Sequence, residues 1–436
     1  MSKIDILAKP VTFKGGLSAP KSVLRLNSFI RSSSFFLLVI LLPNLSRVLK
    51  SAMTERLCTY SETDLGERGK PTPEYLRLYK LWGEGQIGII VLGNIPIHRE
   101  NLEAKGNAII DKDSPWDPVE AFKPVIAAAK AHGSLVIGQL THGGRQTATE
   151  VNPNPVSSSE SKCPDNFGMT FSKARALTVE EIKDLVDRWA FGAEVLYKAG
   201  AHGAQLHCAH GYLLSQFLSP HVNRRTDAYG GSFENRSRII FEIISEIKKR
   251  VTDPKFIVSI KYNSHDFIEG GFSVEDSQRM AKQMEAAGVE LIELSGGTYE
   301  NLPFEEKKDS TKRREGFFIE FAERLRPHLT GESVLAVTGG FRTLAGMTDA
   351  LSSSDRICDV VGLARPLVPE PHLIADIISG KTDKAKENKI PAELQIPAAY
   401  AILKEIGDGL PPADLSDDDS ASRISALVKG LPYKMK

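Results

Sequence analysis

Residues 118–146, PVEAFKPVIAAAKAHGSLVIGQLTHGGRQ, hold one full period of the pattern that decides the fold. The first half places apolar residues at helical spacing and closes on Gly133, a residue that tolerates the left-handed turn ending a helix. The second half, SLVIGQLT (134–141), is a short β-branched run that is apolar along most of its length, as a strand covered on both faces should be. Working outward, the same alternation recurs. Strand-like runs lie at RVLKSAMT (47–54), IGIIVLGNI (87–95), AQLHCA (204–209), FIVSIKY (256–262), LIELSGG (291–297), VLAVTGG (334–340) and VVGLARP (360–366). Helical patterns such as VEEIKDLVDRWAFGAEVLYKAG (179–200) and SVEDSQRMAKQMEAAG (273–288) stand between them. Eight β/α units over roughly 330 residues predict a (β/α)8 TIM barrel. A doubly wound sheet is the second reading, weakened because no G-x-G-x-x-G follows the first strand.

The whole chain has 436 residues, 25% charged and 41% hydrophobic, with 55 Lys and Arg against 55 Asp and Glu. That balance is globular and excludes a disordered or fibrous chain. A formal charge of zero leaves no footprint for nucleic acid or an anionic membrane. The four cysteines (58, 163, 208, 358) are scattered with no C-x-x-C, which argues against a disulfide scaffold or cysteine-held metal. A reducing, cytoplasmic setting fits them.

Three segments are expected: an N-terminal stretch 1–43, the barrel 44–382, and a short C-terminal appendage 383–436, helical and carrying the acidic run DLSDDD (414–419). Within the first, KSVLRLNSFIRSSSFFLLVILLP (21–43) ends in an apolar run, Phe35 to Leu42. Eight or nine residues are too few for a membrane span, which needs roughly 20. An irregular insertion, or translated intron, is the favoured reading; an interfacial anchor is the alternative. Residues 145–176, rich in Pro, Asn and Ser, are expected to form a long loop on the active face.

In such barrels the chemistry sits at the carboxyl ends of the strands. Strand three ends in Gln139-Leu-Thr-His-Gly-Gly-Arg145, strand four in His207-Cys-Ala-His210-Gly-Tyr212, and strand five carries Lys261. Strands seven and eight end in Thr338-Gly339-Gly340-Phe-Arg342 and Gly362-Leu-Ala364-Arg365. Loops after strands seven and eight are where barrels tend to bind phosphate; glycines free backbone N–H groups, and Arg365 adds a charged fork. His207 and His210 converge only if a turn begins between them. A metal is disfavoured, since no third ligand stands beside them and the other strand ends show no Asp or Glu. Two imidazole donors suit a polarised carbonyl or phenolate oxygen, with Tyr212 as proton donor. Hydrogen-bonded structural histidines are the bland alternative. Lys261 requires a partner, because a buried ammonium is costly unless paired. A Schiff-base lysine or an anionic cofactor atom would each satisfy that requirement.

These residues resemble the old yellow enzyme superfamily of FMN-dependent oxidoreductases, in its NADH:flavin oxidoreductase branch. HCAHGYLLSQFLSPHVNRRTDAYGGSFENRSRIIFEII (207–244) carries the resemblance, with IGQLTHGGRQ (137–146), ELSGGTYE (293–300), VTGGFRT (337–343) and GLARPLVPEP (362–371). The resemblance spans about residues 44 to 380. It implies that Ser51, Ala52, Met53 and Thr54 line the flavin, Thr54 near O4. It also implies Gly93 beside the ring, Gln139 on the pyrimidine edge, and Lys261 facing N1. Gly339, Gly340, Ala364 and Arg365 fall on the FMN phosphate. His207 and His210 fall on the pair gripping the substrate carbonyl, and Tyr212 on the proton donor. NADH or NADPH would supply electrons, and an electrophilic alkene or another acceptor would take them. The cysteine cluster and extra nucleotide domain of the larger relatives are missing, so direct NAD(P)H reduction is expected. Alternatives are a lysine-dependent barrel lyase on Lys261, or a flavin-binding protein with impaired turnover. A homo-oligomer is possible, and no stable membrane span is expected.

Overall fold

Eight parallel strands close on themselves in chain order: β1 (Val48–Lys50), β2 (Ile89–Pro96), β3 (Leu135–Thr141), β4 (Gly203–Cys208), β5 (Ile257–Asn263), β6 (Leu291–Ser295), β7 (Val334–Thr338) and β8 (Val360–Leu363). The ring is sealed where β1 pairs with both neighbours, Lys50 opposite Leu363 of β8 and Leu49 opposite Ile89 of β2. The computed structural model describes residues 2–18, 46–166, 168–300, 318–352 and 357–430. The 21–43 insertion and the loop following Glu300 lie outside the described residues. All eight strand-like runs read from the sequence are strands of this barrel.

A helix follows each strand: α1 (Pro73–Gly83), α2 (Pro118–Lys130), α3 (Val179–Lys198), α4 (Phe233–Arg250), α5 (Val274–Ala286), α6 (Ile319–Leu325), α7 (Leu344–Ser352) and α8 (Leu373–Ile378). Their starts are written locally. Asp117 accepts from the Val119 N–H with Pro118 at the first turn of α2, and Thr178 and Glu181 form a reciprocal capping box on α3. Two further helices, α9 (Gln395–Gly407) and α10 (Asp418–Gly430), form the C-terminal part. The acidic run opens α10: Asp418 and Asp419 occupy its first turn, where the helix dipole favours them, and Asp414 pairs with Lys386 at 2.5 Å. No helix among the described residues is long and apolar enough to cross a membrane.

Strand alternation builds the interior in layers. Leu49, Ile89, Val91, Leu135, Ile137, Ile257, Leu291, Val334, Ala336 and Val360 pack inward as one apolar cluster, closed from below by Val11 and Phe13. A tight N-terminal turn holds that plug, with the Phe13 N–H donating to the Leu17 carbonyl at 2.7 Å. Two to four residues above that layer, the inward positions become Ser51, Gln139, Gln205, Ser259, Lys261, Glu293 and Thr338, all buried. One barrel therefore has an apolar floor and a polar ceiling. The alternate positions (Val48, Ile90, Leu92, Val136) face the helices in the main core.

Candidate active site

The ceiling is one connected network centred on Glu293 of β6, which has no exposed surface. Lys261 Nζ lies 3.1 Å from Glu293 Oε1 and donates to Ser51 Oγ at 2.7 Å. Ser51 and Thr338 donate their hydroxyls to Glu293 at 2.6 and 2.7 Å, and Gln205 donates to its other oxygen at 3.0 Å. Gln139 then donates to Gln205 Oε1 at 2.7 Å. Burial alone would favour the neutral acid, but Lys261 first, then Ser51 and Thr338, hold the Glu293 carboxyl below its ordinary value. The expectation of no acidic residue at the other strand ends is thus corrected. Glu293 is the partner Lys261 requires, and an ammonium held by a carboxylate is not a free amine nucleophile. The lone charge inside LIELSGG was the signal for it, the same signal that singled out Lys261.

Above this layer, β4 ends in the required turn. His210 and Gly211 both take left-handed backbones, φ 61° and 79°, so two residues that strand geometry would separate converge. The His207 and His210 rings stand 5.1 Å apart, nearly perpendicular, and Tyr212 packs 4.7 Å from His207. His207 Nδ1 accepts the Ala209 N–H at 3.3 Å, which leaves its Nε2–H as the outward donor. His210 Nε2 pairs with Ser295 Oγ at 2.8 Å, and its backbone N–H donates to Asn263 at 3.1 Å. Burial, then the positive charge of Lys261, pushes His210 down to about 3; burial, then His210, pushes His207 well below its ordinary value. Both rings are neutral at neutral pH. Burial raises the Tyr212 hydroxyl well above its ordinary value, and Glu103 raises it further.

The remaining positions stand around the same mouth. Ser51, Ala52, Met53 and Thr54 leave β1, with the Ser51 N–H on the Leu363 carbonyl and the Met53 N–H on the Gly93 carbonyl. Gly93 sits at a break in the β2–β3 register with φ 93°, and a Cβ there would meet the Ile95 nitrogen at 2.6 Å. Gly339 and Gly340 follow β7 with φ 130° and 86°, exposing consecutive peptide groups, and Ala364–Arg365 follows β8. Arg365 donates to Gln395 of α9 at 3.2 Å and shares a pocket with Arg342 and Lys386. This donor set fits FMN. Gln139 offers hydrogen bonds to a pyrimidine edge, Lys261 a cation, and the glycine pair with Arg365 an anion site, while the Thr54 hydroxyl is already donated to Glu103.

Sequence reasoning missed four contributors besides Glu293. Ser295 and Asn263 orient His210. Tyr299 meets Tyr212 hydroxyl to hydroxyl at 2.8 Å, and Glu103 accepts from Tyr299 at 3.2 Å and from Thr54 at 2.6 Å. Glu103 belongs to the loop after β2, whose polar residues Asn101, Glu103, Lys105 and Asn107 are all buried, so composition hid it. The 145–176 stretch is also more ordered than its composition suggests. Cys163, Met169 and Phe171 pack with Leu102 and Ile109 of that loop in a small core touching Tyr299.

Comparison with known proteins gives concordant findings. A model described as the NADH:flavin oxidoreductase / NADH oxidase family matches residues 45–384. The NADH-dependent flavin oxidoreductase nadA of Aspergillus parasiticus is 40% identical over 396 residues, covering 89% of this chain and 87% of the relative. The NADH-dependent flavin oxidoreductase iccE of Talaromyces variabilis is 34% identical, covering 83% and 89%. Among solved structures, the old yellow enzyme homologue from Zymomonas mobilis superposes with a TM-score of 0.67 at 21% identity, covering 89% of this chain and 98% of that one.

Proposed function

The chain belongs to the NADH:flavin oxidoreductase / NADH oxidase family and is an FMN-dependent NAD(P)H oxidoreductase, and from that premise we propose that it reduces the C=C bond of α,β-unsaturated carbonyl compounds. The observation that carries the reading is the convergence of two neutral imidazoles and one phenol over the buried Lys261–Glu293 layer. Bound FMN would supply the hydride-transfer chemistry that links NAD(P)H to the acceptor.

The protein's residues do the rest. Ser51, Ala52, Met53, Thr54, Gly93, Gln139, Lys261, Gly339, Gly340, Ala364 and Arg365 would hold the cofactor. Lys261 offers its cation where negative charge gathers on reduction, and Glu293 keeps that ammonium inside the barrel. His207, through Nε2–H, and His210 grip the substrate carbonyl oxygen and draw charge onto it as the β-carbon is reduced. Because both rings are neutral, they act as hydrogen-bond donors and not as acids. Tyr212 delivers the proton to the α-carbon. A general acid in that role contributes about 10²–10⁴-fold.

The test is spectroscopic. The FMN-loaded protein, bleached anaerobically with NADH or NADPH, should regain its flavin bands near about 450 nm when an enone is added. The reading fails if a protein that bleaches with nicotinamide and recovers with oxygen shows no recovery with any cyclic enone.

A further inference from the structure

Tyr212 is not alone at the mouth. Its hydroxyl lies 2.8 Å from that of Tyr299, Tyr299 donates to Glu103 Oε1 at 3.2 Å, and Thr54 donates to Glu103 Oε2 at 2.6 Å. Three loops, following β1, β2 and β6, and the turn after β4 thus meet in one hydrogen-bonded chain from the proton donor to the flavin-lining threonine. Tyr212 and Glu103 are 5% and 3% exposed, while Tyr299 and Thr54 are half-buried, so the chain runs from the closed interior to the mouth. A buried carboxylate is costly unless it is hydrogen-bonded, and here Tyr299 and Thr54 supply those bonds, which ties Glu103 to the proton donor.

We propose that Tyr299 and Glu103 form a proton relay that acts through Tyr212, with Glu103 setting the direction in which the chain points. The proposal rests on the reading of Tyr212 as proton donor to carbon. With Glu103 ionised, the carboxylate can only accept, so Tyr299 gives it a hydrogen bond and Tyr212 must give its own proton to Tyr299. Tyr212 then presents lone pairs to the substrate. One proton on Glu103 reverses the order: Glu103 O–H to Tyr299, Tyr299 O–H to Tyr212, and Tyr212 O–H toward the α-carbon. The transfer balances without a further reagent. The Tyr212 O–H bond breaks as the C–H bond forms on the carbanionic carbon; Tyr299 reprotonates Tyr212, Glu103 reprotonates Tyr299, and a proton from bulk solvent, reaching the emptied pocket as hydronium or buffer acid, restores Glu103. Burial, followed by the neighbouring oxygen charges, raises both phenols well above their ordinary values, so a lingering phenolate is unfavourable and prompt reprotonation is needed.

The experiment uses the full-length, FMN-loaded protein, reduced with NADH and reoxidised in a stopped-flow instrument. Each variant is mixed with 2-cyclohexenone, which needs a proton on carbon, or with ferricyanide, which needs none. For Tyr299→Phe and Glu103→Gln, the enone-to-ferricyanide rate ratio should fall at least about tenfold, toward the loss typical of a removed general acid. The solvent deuterium isotope effect on the enone step should rise in both, which a packing defect alone would not produce. Tyr299→Phe keeps the ring packed 6.3 Å from Phe171, and Glu103→Gln lies on a different loop, so one failed fold leaves the other variant as the test. Tyr212→Phe is the control. If Tyr212→Phe lowers the ratio while both relay variants stay within twofold of the parent, the relay is overturned. If Tyr212→Phe leaves the ratio unchanged as well, the proton-donor reading falls with it.

Discussion

Replacing Glu293 by glutamine keeps the shape of the side chain and removes its charge, which isolates the link at the centre of the polar ceiling. At 3.1 Å and an effective dielectric of ~20, the Lys261–Glu293 attraction is about 5 kcal/mol before solvation is counted. Both groups are nearly water-free, with side chains 6% and 0% exposed, so little solvent screening reduces it. Removing one partner of such a pair costs about 3–5 kcal/mol, chiefly because the other charge stays buried and unpaired. The amide adds a second fault. Ser51, Thr338 and Lys261 all approach one oxygen and Gln205 donates to the other, so the new NH2 must face a donor. Glu293→Gln should therefore lower stability by about 3–5 kcal/mol. Lys261→Met should cost less, because Ser51, Thr338 and Gln205 still satisfy the carboxylate. The double variant should fall short of the sum by at least about 1.5 kcal/mol, within the range for directly paired groups. Guanidinium unfolding of the cofactor-free protein at pH 7 reads all four corners of the cycle. The Glu293 carboxyl is held below its ordinary value of 4.5, so its contribution is present above that pH and disappears as pH falls through the lower folded value. The gap between parent and Glu293→Gln should accordingly close in acid. A single-variant cost under about 1 kcal/mol, or additivity within about 0.5 kcal/mol, would refute the argument.

Three further outcomes are expected. Gly93→Ala forces a side chain onto a φ of 93° and against Ile95, at a strain of about 1–2 kcal/mol, and should weaken FMN binding at least about tenfold in a fluorescence titration; unchanged affinity would show that the β2 bulge does not shape the flavin site. His210 is held near 3 and His207 well below 6.5, so the pH profile of enone reduction should show no inflection near 6.5, and a clear one there would mean that a charged imidazole takes part. Just beyond β1, burial pushes Glu55 up to about 7 against the opposing pull of Lys50 and Tyr79. A raised folded value contributes stability that is present below 4.5 and lost as pH rises through about 7, amounting to about 3 kcal/mol or less. Thermal unfolding of Glu55→Gln should lack that dependence between pH 4.5 and 7, and identical pH profiles for parent and variant would contradict it.

The barrel was legible because its signal is local and repeated. Each strand is covered on both faces, so it reads as an apolar run, and α1 to α5 each carry their own N-cap. The glycine turn after β7 was legible for the same reason, since backbone freedom is written in the residue itself. The pairing of His207 with His210 was only half legible. The spacing raised the question, and the left-handed backbone at His210 and Gly211 answered it.

By itself, then, the sequence determined the eight-fold alternation, the strand ends that bear polar side chains, and the family signature in residues 207–244. Tertiary structure alone decided who meets whom. Glu293 lies 32 residues from Lys261 and 242 from Ser51, and only closure of the barrel puts their inward positions at one height. Glu103 and Tyr299 are 196 residues apart, on loops whose composition is ordinary, and Gln395 of α9 reaches Arg365 across 30. Contacts of that kind depend on the register and curvature of the whole sheet. Those follow from the summed twist and packing of all eight strands, and no single stretch of sequence encodes them.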